Sequence, residues 1–316
     1  MTAVHMPTCT RWYVRLANAV LCTLAATVCA SAEPADKGPV TGLHLIDEDA
    51  KAVAVLEVSK VLATPFGQRN LQNTMAGPQG QQFLAQVQMF NAKYGVNVMR
   101  DVYRLTVIAP FTDGEPFADV VFAIDAKLNK QAIEQSLAGI DRYPAERHGD
   151  CLIFEVAGDG NGKFFCSVLS DSLFVLSLDK QTVAKAIDRA AENTLGASKK
   201  IAEAINALPV THMAWAVADS NAFARTERDW VLFRENSEWF SVGIGIVGPA
   251  ATLDATFQAP NPVAAESLED LLARYLKRED TSQQILGVLP PMIRPRADSL
   301  LLTREGTQLK VSATGL

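Results

Sequence analysis

The chain predicts an α+β fold: two repeats of a mainly antiparallel sheet with helices packed on one face. Three observations lead there. Runs rich in Val, Ile and Phe alternate with amphipathic runs of helical period over residues 52–193. Strand runs come in consecutive pairs around turn residues, the pattern of an antiparallel sheet with helices laid on it. The same plan then recurs in the second half of the chain.

The elements follow in order. "AVAVLEV" (52–58) reads as a strand, and "QQFLAQVQMFNAKYG" (81–95) as a helix that places Phe83, Val87, Phe90 and Tyr94 on one stripe and stops at Gly95. "DVYRLTVIA" (101–109) and "ADVVFAI" (118–124) are strands flanking the turn residues "DGEP". A helix follows at "KLNKQAIEQSLAG" (127–139), then strands at "DCLIFEVA" (150–157), "KFFCSVLS" (163–170) and "DSLFVLSL" (171–178). "KQTVAKAIDRAAEN" (180–193) closes the half as a helix.

Residues 118–137 lie without a gap on 253–272 after a shift of 135 positions: Asp119 meets Asp254, Phe122 meets Phe257, Ile133 meets Leu268, Glu134 meets Glu269 and Leu137 meets Leu272. "AVLEVSKVL" (54–62) resembles "WAVADSNAF" (215–223), and "CLIFEVAGDGNGKFFCSV" (151–168) corresponds to "SLLLTREGTQLKVSA" (299–313), each a hairpin. The boundaries implied are 1–32, 33–195 and 196–316. The division falls near "TLGASKK" (194–200), where small and charged residues separate two helical patterns. So short a link predicts halves that pack together.

The segment 1–32 carries the signs of export. Arg11 and Arg15 precede "LANAVLCTLAATV", an apolar run of about 13 residues, and Ala30-Ser31-Ala32 supplies the small residues that a signal peptidase reads. That run falls short of the roughly 20 apolar residues of a membrane span. Cleavage after Ala32 leaves a mature chain starting at Glu33, with 27 basic against 35 acidic side chains and a net charge of −8. An acidic protein without a basic cluster is a poor partner for nucleic acid or an anionic membrane surface.

Motifs exclude more than they assign. "EVAGDGNGKFF" (155–165) contains the most ligand-like letters, but a calcium loop counted from Asp159 places Lys163 at the fifth position and Ser170 at the twelfth. A P-loop fails too, because Phe164 follows Gly162-Lys163. The stretch reads as a hairpin turn. His44, His148 and His212 match no zinc spacing. "HLIDEDAK" (44–51) groups an imidazole with Asp47, Glu48 and Asp49, the usual composition of a solvated acidic segment. No cofactor or metal is implied.

Two features are candidate sites. Cys151 and Cys166 are the cysteines left after export, and a pair in an oxidising compartment predicts a disulfide. Its geometry depends on the turn. A two-residue loop at Gly158-Asp159 sets Cys151 opposite Cys166. A turn at Asn161-Gly162 pairs Cys151 with Ser172, and an odd-length loop puts the thiols on opposite faces. The second feature is "RTERDWVLFRENSEWF" (225–240), in which Trp230, Phe233, Arg234 and Trp239 form a candidate interaction surface of the aromatic and arginine type; the competing reading buries these rings in the second sheet.

The stretches "AVLEVSKVLATPFGQRNL" (54–71), "YGVNVMRDVYRLTV" (94–107) and 118–137 resemble exported bacterial proteins carrying a domain of unknown function. That resemblance implies export and the α+β repeat and transfers no active site. The expectation is a non-enzymatic exported protein, periplasmic or extracellular, that binds a protein or envelope component. The alternative is a hydrolase-like enzyme using Asp119, Glu134, Asp254 and Glu269 in a cleft between the repeats.

Overall fold

The computed structural model describes residues 41–65, 67–69, 72, 88, 91–92, 96–110, 119–139, 143–157, 163–192, 196–209, 211–222, 228–247, 250–277 and 299–314. The export segment expected over 1–32, the hairpin turn expected at 158–162 and most of the helix expected over 81–95 lie outside them.

Among the described residues twelve strands form one sheet, and every pairing in it is antiparallel. They are β1 (Ala52–Leu56), β2 (Val102–Ala109), β3 (Val121–Ala126), β4 (Ala145–His148), β5 (Cys151–Ala157), β6 (Lys163–Ser170), β7 (Leu173–Ser177), β8 (Ala214–Asp219), β9 (Trp239–Val247), β10 (Ala250–Gln258), β11 (Leu301–Glu305) and β12 (Gln308–Thr314). Their spatial order is β11-β12-β10-β9-β8-β1-β2-β3-β7-β6-β5-β4. The expected division at residue 195 therefore does not break the sheet. β1 joins β8 from Ala52↔Ala218 to Leu56↔Ala214.

The helices among the described residues are α1 (Val58–Ala63), α2 (Val98–Asp101), α3 (Lys130–Ala138), α4 (Lys180–Glu192), α5 (Lys199–Asn206), α6 (Arg228–Asn236) and α7 (Pro262–Leu276). Their starts are set by side chains that satisfy orphan backbone donors. Asn129 accepts from Ala132 N, Asp179 from Thr182 N, Ser198 from Ile201 N and Asn261 from Ala264 N. Pro262 at the first turn of α7 fits the same logic, since its missing N–H would have no partner there.

The helices cover both faces, not one, and strand parity shows it. Val53, Val55, Ala123, Leu173, Val175 and Ile153 share one face and one core with Val183, Ala186 and Ile187 of α4 and Ile201 of α5. This is the front face. The residues between them in the strands, Phe154, Cys166 and Val168, point backwards and pack on Ile133 and Leu137 of α3. Farther along the back, Leu309 and Val311 pack on α7, while Val58 and Leu62 of α1 form a smaller cluster with Leu56 and Val102. A sheet apolar on both sides needs both covered: burying one Val or Leu contributes roughly 1.5–3 kcal/mol that a single helical layer would forgo. The front face of β10 and β12 is the exception, lined by Thr252, Asp254, Thr256, Lys310 and Ser312, as an antiparallel sheet with one wet side allows.

Phe122 and Phe257, matched by the 135-residue shift, both lie on the back face, and both are half-buried. Under that shift α3 falls within α7, whereas β3 falls on 256–261, which overlaps only the end of β10. Among the described residues no helix is long and apolar enough to cross a membrane.

Candidate ligand cleft

A cleft of about 590 Å³ opens on the front face. One wall is the end of the short 3-10 turn Gly42–Leu45 and the segment after it, contributing Leu45, Asp47, Asp49, Ala50 and Lys51. The floor is apolar: Ile108 at the end of β2 and Val121 at the start of β3 lie beside Ala186 of α4. The other wall is the exposed side of α4, with Asp179, Lys185 and Arg189, and Asn221 closes the end nearest β8.

Each wall is held by backbone. Asp47 Oδ1 accepts from Ala50 N at 2.9 Å, folding the acidic segment into a turn. Lys51 N donates to Ala109 O at 2.9 Å and Lys51 O accepts from Asp219 N at 2.8 Å, so this residue is tied to both neighbouring strands. Arg189 Nη2 donates to Ile46 O at 3.4 Å, joining α4 to the opposite wall. Gly196 donates to the same carbonyl, and a Cβ there would overlap the Arg189 guanidinium. Asn221 is oriented by two bonds to Asp219 Oδ1, at 2.9 Å from its backbone and 2.8 Å from its side chain. Asp179 is committed to capping α4, accepting from Thr182 N at 2.7 Å and Thr182 Oγ1 at 3.0 Å.

Beneath this wall lies a buried polar knot. Gly42 N donates to Asp125 Oδ1 at 2.9 Å, and Gly42 is close enough to Ala123 and Thr106 that a Cβ would come within 2.9 Å of both. Arg104 pairs with Glu57 at 2.9 Å and stands 3.9 Å from Asp125. Burial pushes the Asp125 carboxyl up to about 6, outweighing the Gly42 N–H and the Arg104 guanidinium, which favour the charged form.

The arrangement offers an apolar floor ringed by carboxylates and cations. It suits a ligand with an apolar group flanked by both signs of charge. Among the described residues no three His, Cys, Asp or Glu side chains are grouped closely enough to hold a metal ion.

The residues singled out in the sequence are scattered. Cys151 and Cys166 are free, buried thiols. The β5–β6 ladder pairs Phe154 with Cys166 and Ala157 with Lys163, so five residues separate the strands. This odd-length loop sends Cys151 to the front core and Cys166 to the back one, and the expected disulfide is not formed. Part of the candidate interaction surface is taken up by packing. Trp239 is buried in the front core, and Phe233 packs on Phe257 and Tyr275 with ring centroids 5.9 Å apart in each case. Arg234 is half-buried on α6, and the Trp230 side chain lies outside the described residues. Trp239 is therefore buried, and Phe233 is half-buried against its aromatic neighbours.

Nor do the four carboxylates converge. Asp119 lines the cleft, Glu134 stands 3.8 Å from Lys130, Asp254 meets His212 at 3.0 Å, and Glu269 pairs with Arg304 at 3.1 Å. Sequence reasoning named the segment 44–51 but read it as solvated. It missed Lys185 and Arg189 entirely, for which helical period offers no signal beyond a polar stripe.

No family model and no curated protein sequence matches the chain. Solved structures of TP0453 match it in outline. Crystal form I is 8% identical and covers 90% of this chain and 93% of its own, with a TM-score of 0.45. Forms III and IV are 8% and 7% identical, cover 90% and 87% of this chain and 95% and 92% of their own, and score 0.46 and 0.48. Likeness at that level carries no argument about the cleft.

Proposed function

We propose that the protein is an exported, non-enzymatic binding protein whose front-face cleft takes a short peptide segment with an apolar residue between charged ones. The observation that carries this reading is the cleft itself: an apolar floor at Ile108, Val121 and Ala186, rimmed by Asp49, Asp119, Lys51 and Lys185. Pockets built this way bind through the floor and orient through the rim. Export is supported by Arg11, the apolar run and Ala30-Ser31-Ala32.

The two halves are proposed to be repeats of one unit. What supports this is the parallel order β1-β2-β3-β7 and β8-β9-β10-β12, each with a helix following its third strand.

The test uses fluorescein-labelled pentapeptides with a central Leu or Phe and Lys or Asp on either side, titrated with the mature chain and read by anisotropy. Mixed-charge peptides should bind, and Lys51→Glu with Lys185→Glu should weaken them about tenfold or more, near 1.4 kcal/mol. Binding by none of the peptides, or binding unaffected by the charge reversals, would remove the cleft from consideration.

A further inference from the structure

We propose that Lys130 and Cys151 form a peroxide-driven covalent cross-link, with the lysine amine capturing the oxidised sulfur. Lys130 Nζ stands 3.3 Å from Cys151 Sγ. The amine is held in place, 3.3 Å from Leu169 O, 3.4 Å from Asp150 O and 3.8 Å from a Glu134 carboxylate oxygen. Its backbone is anchored as well: Lys130 N donates to Asp171 Oδ1 at 2.9 Å at the start of α3. The sulfur faces Leu169 O at 3.9 Å. A nitrogen nucleophile thus sits in contact with a thiol before any oxidation takes place.

Cys166 supplies the internal contrast. It lies on the back face among Phe154, Val168 and Ile133, and burial pushes its thiol up to about 12. Thiols of that kind are inert toward oxidants that act on the deprotonated sulfur. Lys130 is about a quarter exposed, so Cys151 is one side chain from solvent, whereas Cys166 is sealed under α3.

The chemistry balances with a hydroperoxide as oxidant. Hydrogen peroxide transfers an oxygen to the Cys151 sulfur, which loses two electrons and becomes a sulfenic acid, with one water released. The neutral Lys130 amine, having given its extra proton to solvent, attacks that sulfur. An N–S bond forms, the S–O bond breaks, and the oxygen leaves as a second water. The product is a sulfenamide tying the first turn of α3 to the start of β5. A small thiol reverses it by attacking the sulfur and releasing the amine.

The full mature chain is treated with hydrogen peroxide, its remaining thiols are alkylated under denaturing conditions, and it is digested without reductant for mass spectrometry. The expected product is a joined Lys130–Cys151 peptide about 2 Da lighter than its two parts together, lost after dithiothreitol, with Cys166 fully alkylated. Lys130→Arg keeps the positive charge but should give no joined peptide, its Cys151 passing on to sulfinic acid. If wild-type Cys151 stays a thiol, stops at a sulfur oxyacid, or pairs with Cys166 at peroxide levels that oxidise free cysteine, the proposal is wrong.

Discussion

Replacing Asp125 with Asn should stabilise the protein at neutral pH and leave it unchanged in acid. The carboxyl is buried beneath the cleft wall and pushed up to about 6 from an ordinary value of 3.8, with burial as the leading cause. The groups facing it are Gly42 N–H, Arg104, Glu57 and His44. Because the folded value lies above the unfolded one, the folded state holds its proton more tightly. Between about pH 4 and 6 the unfolded chain is ionised while the folded one is not. Wild-type stability therefore falls as pH rises through that window, by about 1.4 kcal/mol per unit, and the deficit is complete above it. A shift of this size amounts to roughly 3 kcal/mol. Asparagine keeps the oxygen that accepts from Gly42 and carries no charge to desolvate. Urea denaturation of both proteins from pH 4 to 8 measures the difference directly. Near pH 4 the free energies should coincide, and by pH 7.5 Asp125→Asn should lead by most of that amount. A difference that stays constant with pH, or that favours wild type as pH rises, would refute the reasoning.

Two glycine substitutions should separate steric strain in the core from strain at the cleft. At Gly243 a Cβ would overlap the buried His212 ring, whose Nε2 bonds Asp254 at 3.0 Å, so Gly243→Ala should cost about 3 kcal/mol in thermal or urea unfolding. Much of that loss should disappear in a His212→Ala background, as expected for residues in contact. At Gly196 the overlapped atoms are the end of the flexible Arg189 side chain, so Gly196→Ala should cost under about 1 kcal/mol while weakening peptide binding by moving the guanidinium off the wall.

Strands were legible where burial imposes a pattern. β7 alternates buried and half-buried residues from Leu173 to Ser177, and β5 and β6 were bounded to within a residue, because their apolar residues run on into the front and back cores and stop at polar ends. β4 escaped notice because Ala145–His148 reads as polar and is mostly exposed at the sheet edge. The strand expected through Val58 stops at Leu56, since Val58 turns back to open α1 and pack with Leu62. That change of direction rests on tertiary contacts and leaves no local mark. The second helical layer has the same origin. An amphipathic stripe on α3 or α4 shows that a helix packs on something, but only strand parity and register decide which side of the sheet it covers.

The site was less legible for a related reason. Catalytic and metal motifs concentrate their letters in one stretch, whereas this cleft takes its rim from the segment 47–51, Asp119, α4 and Asn221, which sequence distance keeps apart. The acidic composition of 44–51 is what a solvated segment shows, and its role depends on Lys51 being tied to Ala109 and Asp219 from both sides. The residues with the strongest letters behave in the opposite way. Trp239 and Phe233 are consumed by packing, and Cys166 by the back core. A large apolar ring gains most by leaving water, so its presence in a sequence points first to the core. Charged side chains that converge on an apolar floor are the better mark of a site in this fold, and that convergence exists only once β1 has paired with both β2 and β8.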